Sequence, residues 1–219
     1  RASIGRGVGF FLLASAAIVF LMPLYWMLVN SFQPAAVIQT PPIELWPVKA
    51  TLANYERLFD VGALGWTINS VVVSLGGMLV AIAVALPTGY GFARKEFPGK
   101  RFLFAVVLLS MMMPWAVRLV PSYLLMADLG LINTHLGIFI VEAAFPLGIF
   151  FARQYYANQP REVFEAARVD GTGEGRTFWS VALPMSTPLI GVLAITAFVG
   201  TWTNYVWQLV MANEDLYTL

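Results

Sequence analysis

The sequence contains no cysteine, a single histidine and few charged residues, since Asp, Glu, Lys and Arg make up 11% of its 219 positions. The lack of cysteine excludes disulfides, thiolate metal sites and cysteine nucleophiles, and one histidine cannot form a histidine-based metal cluster. A net charge of +1 leaves no electrostatic footprint for nucleic acid. Soluble domains carry about 25% charged residues, so a water-soluble globule is excluded, and we assign no catalytic, cofactor-binding or metal-binding residue.

Apolar residues dominate instead, at 59% hydrophobic and 14% aromatic, with a mean hydropathy of +0.74. A helix that crosses a bilayer needs about 20 consecutive apolar residues, and five runs approach or exceed this length. They predict an all-α membrane protein, a polytopic helical bundle forming a single transmembrane domain over residues 1–219. Between the first two runs, several prolines predict an external loop over Gln33–Gly65 with one short helix near Asn54–Phe59. The predicted spans are 8–29, 64–92, 102–120, 136–152 and 188–211.

The basic residues fall mainly on one side of these spans. Ten of the 13 lysines and arginines lie on the side of the amino terminus, and three lie on the opposite side. Short loops rich in Lys and Arg face the cytoplasm, so the amino terminus is predicted to be cytoplasmic. The three on the opposite side are Lys49, Arg57 and Arg118.

A charged stretch over residues 159–184 interrupts the apolar runs between the fourth and fifth spans, on the predicted cytoplasmic side. Pro160 suits the start of a helix, and Glu162 then lies near the positive end of the helix dipole. Gly171 is a natural left-handed stop. These signals predict a helix of about three turns over Arg161–Gly171. A structural surface loop is the alternative for the whole stretch.

Three residues of this predicted helix suggest contacts with other groups. Ala166 and Ala167 would form a small-residue face that allows close approach to another protein. Asp170 lies at the unfavourable end of the helix dipole, so we expect it to cap the next short helix or to meet a partner. The glycines that follow do not form a phosphate-binding loop, because no Gly-Lys-Ser/Thr sequence accompanies them.

The same stretch resembles the EAA loop of ABC-importer permeases. Glu165-Ala166-Ala167 is followed by three residues, Gly171, nine residues and Val181-Ala182-Leu183-Pro184. This matches the family pattern except for Val181, where the family has Ile. Segments that include Asn30-Ser31-Phe32, Asn69-Ser70 and Gly89-Tyr90-Gly91-Phe92-Ala93-Arg94 are similar to the second permease of maltose-type carbohydrate transporters.

The resemblance implies the type I ABC-importer permease fold, of which five spans are visible and a sixth helix is expected to be missing. It implies a bacterial inner-membrane protein that imports a sugar by alternating access. The expected partners are a homologous second permease, two cytoplasmic ATP-binding subunits that hydrolyse the ATP, an extracytoplasmic solute-binding protein and the lipid bilayer. The chain itself is then not an enzyme. The residues that the resemblance assigns to ATPase coupling are Arg161, Glu165, Ala166, Ala167, Asp170, Gly171, Leu183 and Pro184.

Glu142 is the only acidic residue within a predicted span. Burying an acid near mid-bilayer costs about 2.5–3.5 kcal/mol on insertion scales, so Glu142 should face protein or water. We assign Glu142, Trp202, Asn204 and Tyr205 to the substrate path. In the fifth span, Thr203 and Gln208 depart from the Asn and Pro that are usual in the family.

Three alternatives remain beside a sugar permease. A permease for glycerol phosphate or another solute would have the same loop. An ion-coupled secondary transporter would use an intramembrane acid such as Glu142 but needs no EAA loop. A membrane-embedded enzyme is disfavoured, because one histidine and one intramembrane acid do not form a catalytic constellation.

Overall fold

The computed structural model describes residues 2–38, 45–47, 49–213 and 216–218. Within these residues the backbone is helix, turn or irregular structure without a strand, which confirms the predicted all-α class. Part of the predicted external loop, residues 39–44 and 48, lies outside the described residues. The longer helices are α1 (Ala2–Ser31), α4 (Ala63–Arg94), α5 (Lys100–Met112), α6 (Trp115–Asp128), α8 (Pro146–Ala157), α9 (Arg161–Val169) and α12 (Thr187–Trp202). The shorter ones are α2 (Ala35–Ile38), α3 (Ala53–Asp60), α7 (His135–Phe139), α10 (Glu174–Thr177), α11 (Leu183–Met185) and α13 (Tyr205–Met211).

The packing divides the chain into two units, residues 1–64 and 65–219. In the first unit, α3 is attached to the end of α1 by side-chain hydrogen bonds. The Asn54 amide donates to the carbonyl oxygens of Ser31, at 3.0 Å, and Gln33, at 2.7 Å. The Tyr55 hydroxyl lies 2.7 Å from that of Ser31. Helix α3 therefore confirms the short helix predicted near Asn54–Phe59.

The second unit is built around α4, which contributes buried residues to two apolar clusters. One cluster includes Ala85, Leu86 and Tyr90, and the other includes Val73. Small residues on α4 let other elements approach closely: a Cβ added at Gly76 would lie 2.6 Å from the Phe139 ring. This agrees with the expected role of small residues at helix contacts in membranes.

The third predicted span is sharply bent, and this differs from the single helix expected over 102–120. Helices α5 and α6 meet at an angle of 108°. Met113 precedes Pro114 and has φ −75° and ψ 121°, as expected because a proline disfavours the helical conformation of the residue before it. Helix α6 then continues to Asp128, through Pro121.

The fourth and fifth spans are also interrupted. Helix α7 continues as a 3₁₀ turn over Ile140–Ala143 and is bent by 42° from α8, where Phe145 precedes Pro146. The fifth span, predicted over 188–211, is α12 followed by α13, with Thr203 and Asn204 between them. Asn204 has ψ 62°, outside the helical range.

Among the described residues, two helices are long and apolar enough to cross a membrane by themselves, Arg6–Ser31 and Ala63–Arg94. Five crossings result when each bent pair is counted as one span. The bent pairs are Lys100–Met112 with Trp115–Asp128, His135–Ala143 with Pro146–Ala157, and Glu174–Met185 with Thr187–Trp202. The number agrees with the five predicted spans, but the last pair includes Glu174–Met185 of the charged loop, which is predicted to lie outside the membrane. The membrane boundaries and the single domain over 1–219 stay predictions.

Candidate functional site

The charged loop between the fourth and fifth spans forms the predicted helix, here α9. Pro160 precedes it with an extended ψ of 134°. At the other end Gly171 has φ +74°, in the left-handed region that penalises residues with a Cβ. The Thr172 N–H donates to the Ala167 carbonyl at 3.0 Å, and the Gly171 N–H donates to the Arg168 carbonyl at 3.0 Å. These two bonds are a Schellman motif, so the predicted stop at Gly171 is confirmed.

The buried side of α9 consists of Phe164 and Ala167, whereas Glu165 and Ala166 are exposed. The expectation that Ala166 and Ala167 form one face is therefore wrong. Successive residues of an α-helix point about 100° apart, so two adjacent alanines point in different directions. Ala167 packs against the protein itself, and Ala166 remains on the outer side with Glu165.

Asp170 does not cap the next helix. It directly follows α9 and precedes the left-handed turn at Gly171, and α10 begins after Gly173 without a side-chain cap. The expectation that it caps α10 is wrong, because the turn at Gly171 separates Asp170 from the free N–H groups of α10. Asp170 is exposed, and the alternative that it meets a partner stays a prediction.

Beneath α9, four aromatic rings connect the loop to two spans. The Tyr90 ring of α4 lies 6.1 Å from the Phe164 ring of α9, 5.3 Å from that of Phe178 and 5.5 Å from that of Tyr156 on α8. Such separations and tilted or edge-on geometries are favourable for aromatic pairs. Because all four residues are buried, α9 cannot shift relative to α4 and α8 without repacking this cluster.

The segment between α9 and α12 is helical with an irregular middle. Residues Phe178–Ala182 form one turn of π-helix between α10 and α11, an irregularity that is frequent at functional sites. Leu183 is partly buried against the aromatic cluster, and Pro184 is exposed. Thus the last two residues of the predicted coupling motif have different surroundings.

A buried hydroxyl network holds the bend between α11 and α12, which turns the chain by 78°. The Tyr155 hydroxyl donates to the Met185 carbonyl at 2.6 Å. Ser186 is fully buried, and its Oγ lies 2.8 Å from the Tyr156 hydroxyl and 2.6 Å from the Ala182 carbonyl oxygen. Unpaired polar groups in such a site would be costly, so the network favours one geometry at the bend.

Acidic Glu174, at the start of α10, forms an ion pair with Lys95, which follows α4. The hydrogen bond from the Lys95 ammonium lowers the pKa of the Glu174 carboxyl below its ordinary value, since a donor to the charged form favours that form. Neither residue belongs to a motif that is visible in the sequence. Their proximity depends on two segments about 80 positions apart in the chain.

The four residues predicted for the substrate path do not share one site in the structure. Glu142 is in the 3₁₀ turn at the break of the fourth span. A Cβ added at Gly77 of α4 would lie 3.2 Å from Glu142 Cγ and 2.7 Å from the Thr201 hydroxyl oxygen, so these three residues are neighbours. Thr201 is buried and was missed, although it is a polar residue in an apolar run.

Tyr205 lines a cavity of about 290 Å³ together with Trp66, Gln208, Leu209, Tyr217 and Thr218. Gln208 is buried, its amide donates to the Thr201 carbonyl at 2.6 Å, and its other end pairs with Thr218. Trp202 instead stacks on Phe198 with centroids 5.7 Å apart, and Asn204 occupies the break between α12 and α13. In the sequence, Gln208 stands out only as a departure from the family pattern. In the structure it lines this cavity.

Residues 77–218 match the family model of the binding-protein-dependent transport system inner membrane component. The chain is 32% identical to the arabinooligosaccharides transport system permease protein AraQ of Halalkalibacterium halodurans, over 97% of this chain and 77% of that one. It is 30% identical to the sn-glycerol-3-phosphate transport system permease protein UgpE of Brucella abortus, over 94% and 76%.

Among solved structures, the chain is similar to a crystal structure of a bacterial ABC transporter involved in the import of the acidic polysaccharide alginate. The TM-score is 0.84 at 22% identity, over 98% of this chain and 76% of that chain. This likeness shows the fold, which is that of type I ABC-importer permeases.

The chain belongs to the family of binding-protein-dependent transport system inner membrane components. It is a permease subunit of an ABC importer and a multi-pass protein of the inner membrane. The family is one of transport permeases and not of enzymes. Such a permease works in general with a partner permease, an ATPase and a binding protein.

Proposed function

We propose that this permease moves a sugar, a disaccharide or oligosaccharide, into the cytoplasm by alternating access, and that α9 docks on an ATPase subunit. The observation that carries the docking role is the two-sided character of α9. Its inner side is packed into the aromatic cluster of α4 and α8, and its outer side presents Arg161, Glu165 and Ala166 to solvent. A helix that is packed against the spans on one side and exposed on the other can transmit a motion from a partner bound to its exposed side to the spans.

The charge distribution supports the orientation that this role requires. Ten basic residues lie on the loop side of the spans and three on the other, so the positive-inside rule places the amino terminus and α9 in the cytoplasm. The proposed partners there are two ATP-binding subunits. A homologous permease would lie beside the chain, and a solute-binding protein would lie on the outer side.

The proposal that the substrate is a sugar rests on the relatives and on the cavity beside Tyr205. Relatives of this chain are permeases of systems for arabinooligosaccharides and for sn-glycerol-3-phosphate. Among the described residues, the six that line the cavity are uncharged, and three of them are aromatic: Trp66, Tyr205 and Tyr217. Aromatic faces with a few amide and hydroxyl groups suit a neutral polyol better than a phosphate, which favours basic partners. We include Glu142, Trp202, Asn204 and Tyr205 in the proposed path.

The substrate proposal is tested by reconstituting the full-length permease with its partners in vesicles and measuring uptake of labelled oligosaccharides and of labelled glycerol 3-phosphate. We expect uptake of an oligosaccharide that requires ATP inside the vesicle. Selective uptake of glycerol 3-phosphate would contradict the sugar assignment. Uptake driven by an ion gradient without ATP would contradict the importer mechanism and favour a secondary transporter.

The docking proposal is tested at Gly171 and Glu165. A residue with a Cβ at Gly171 is strained by about 1–2 kcal/mol, because φ is +74°. We expect Gly171→Val and Glu165→Trp to insert in the membrane but to lose at least tenfold in ATP-dependent uptake and in copurification of the ATPase. The matched control is Gly175→Ala, since a Cβ there meets no atom within 4 Å. Normal assembly and transport by both variants would refute the docking role of α9.

A further inference from the structure

The cytoplasmic end of α4 contacts the charged loop where the loop begins. The Arg94 guanidinium donates a hydrogen bond from Nη2 to the carbonyl oxygen of Gln159 at 2.6 Å. The same guanidinium lies 4.2 Å from the ring centroid of Phe164, within the range of a cation–π interaction. One side chain of α4 therefore joins both the entry of the loop and the buried face of α9.

The next residue contacts the loop where it leaves α9. Lys95 forms an ion pair with Glu174, and Glu174 also lies 3.4 Å from the Arg168 guanidinium. Exposed ion pairs of this kind contribute little stability by themselves, and both side chains are partly exposed. Their position is more informative than their strength, because with the Arg94 contacts they hold the entry of the loop, α9 and the segment that follows α9.

Helix α4 extends from these contacts to the polar residues inside the membrane. It runs without a break from Ala63 to Arg94, and its residue Gly77 lies against Glu142 and Thr201. Helix α4 contains Pro87 but stays helical from Gly77 to Arg94, whereas α12 joins the loop at a bend of 78°. The fourth span breaks at Ala144 and Phe145, at the end of α8 that is far from the loop. Helix α4 therefore connects the loop contacts with the neighbours of Glu142 and Thr201 through a single helix.

We propose that Arg94 and Lys95 are positioning residues that make the charged loop and α4 move as one body, so that motion delivered to α9 enters the membrane through the second span. This inference rests on the proposed docking of α9 on an ATPase. The opposite arrangement is a loop that pivots at its own ends, near Asn158 and Ser186, and slides over the end of α4.

A cross-linking experiment separates the two arrangements, and the sequence has no cysteine that would interfere. In the full-length permease within its complex, Lys95→Cys and Glu174→Cys are joined by a short bifunctional methanethiosulfonate reagent. If loop and helix move together, ATP-dependent uptake stays within about twofold of the reduced complex. Loss of uptake that returns on reduction would overturn the proposal. The control joins Arg168→Cys to Glu174→Cys, which are both inside the loop.

Substitutions test the same point through the coupling ratio, the amount of substrate moved per ATP hydrolysed. We expect Arg94→Gln to lower this ratio at least fivefold while the ATPase still copurifies, and Arg94→Lys to restore part of it. Lys95→Glu and Glu174→Lys should each lower the ratio, and the double exchange should restore it. Unchanged ratios in Arg94→Gln and in both single exchanges would overturn the proposal. Failure of the unsubstituted permease to bind any ATPase would instead refute the docking role and this inference with it.

Discussion

Replacing Gly89 by alanine should separate two spans that touch through their backbones. A Cβ added at Gly89 of α4 would lie 2.3 Å from the Ala152 Cβ and 2.8 Å from the Arg153 backbone nitrogen of α8. Carbon atoms in contact are normally about 3.5–4.0 Å apart, so the helices would have to move by more than about 1 Å. Backbone and a methyl group cannot rotate away, and the strain therefore falls on the helix packing.

The matched control is Gly91→Ala in the same helix, because a Cβ at Gly91 meets no atom within 4 Å. Both substitutions gain about 0.8–1.0 kcal/mol of helix propensity, which cancels when the variants are compared. Over-packing typically costs about 1–3 kcal/mol, so Gly89→Ala should be less stable than Gly91→Ala by about this amount.

The measurement is thermal unfolding of the purified permease in detergent, followed by tryptophan fluorescence. We expect Gly89→Ala to unfold at a lower temperature than the unsubstituted chain, and Gly91→Ala at the same or a higher temperature. Equal unfolding temperatures for the two variants would refute the close contact between α4 and α8. A lower unfolding temperature for Gly91→Ala alone would contradict the open space that the structure shows beside Gly91.

Two further predictions concern a buried indole and an ion pair. Trp207→Phe should lower the free energy of unfolding by about 1–3 kcal/mol, because it leaves the buried Ile138 carbonyl without the 2.8 Å bond from the indole N–H. In the same unfolding assay, the exposed control Trp179→Phe should change this free energy by no more than about 0.5 kcal/mol. Equal losses in the two variants would contradict the role of the indole hydrogen bond. Since the pKa of Glu174 is lowered in the folded protein, its pairing with Lys95 stabilises the fold above the ordinary carboxyl pKa of about 4.3, and this contribution is lost as the pH falls through the lowered pKa. The difference in unfolding temperature between the unsubstituted chain and Lys95→Gln should therefore shrink on acidification from pH 7 to below 4, and a difference that grows would contradict the pairing.

Local features of the chain are sufficient to predict the membrane class and the helix of the charged loop. The apolar runs predict spanning helices because lipid cannot satisfy unpaired backbone groups, which leaves helix as the conformation of each long run. Pro160 and Gly171 likewise predict the two ends of α9, since each restricts or permits a particular backbone conformation. These signals act within a few residues, so they do not depend on the rest of the fold.

Tertiary structure alone decides how the spans bend and which residues meet. Pro114 is visible in the sequence, but the bend of 108° beside it depends on where α6 packs. The same holds for α9, where packing against Tyr90 buries Phe164 and Ala167 and leaves Ala166 outside.

The contacts between α4 and the charged loop show most clearly what cannot be predicted from the sequence. The bond from Arg94 to the Gln159 carbonyl joins residues 65 positions apart, and the pair of Lys95 and Glu174 joins residues still further apart. By itself the sequence determined the ends of a charged helix and predicted its place outside the membrane between two spans. Only the tertiary structure decided that the end of the second span holds this helix, because contacts between distant segments arise from the packing of whole helices and not from local conformational preferences.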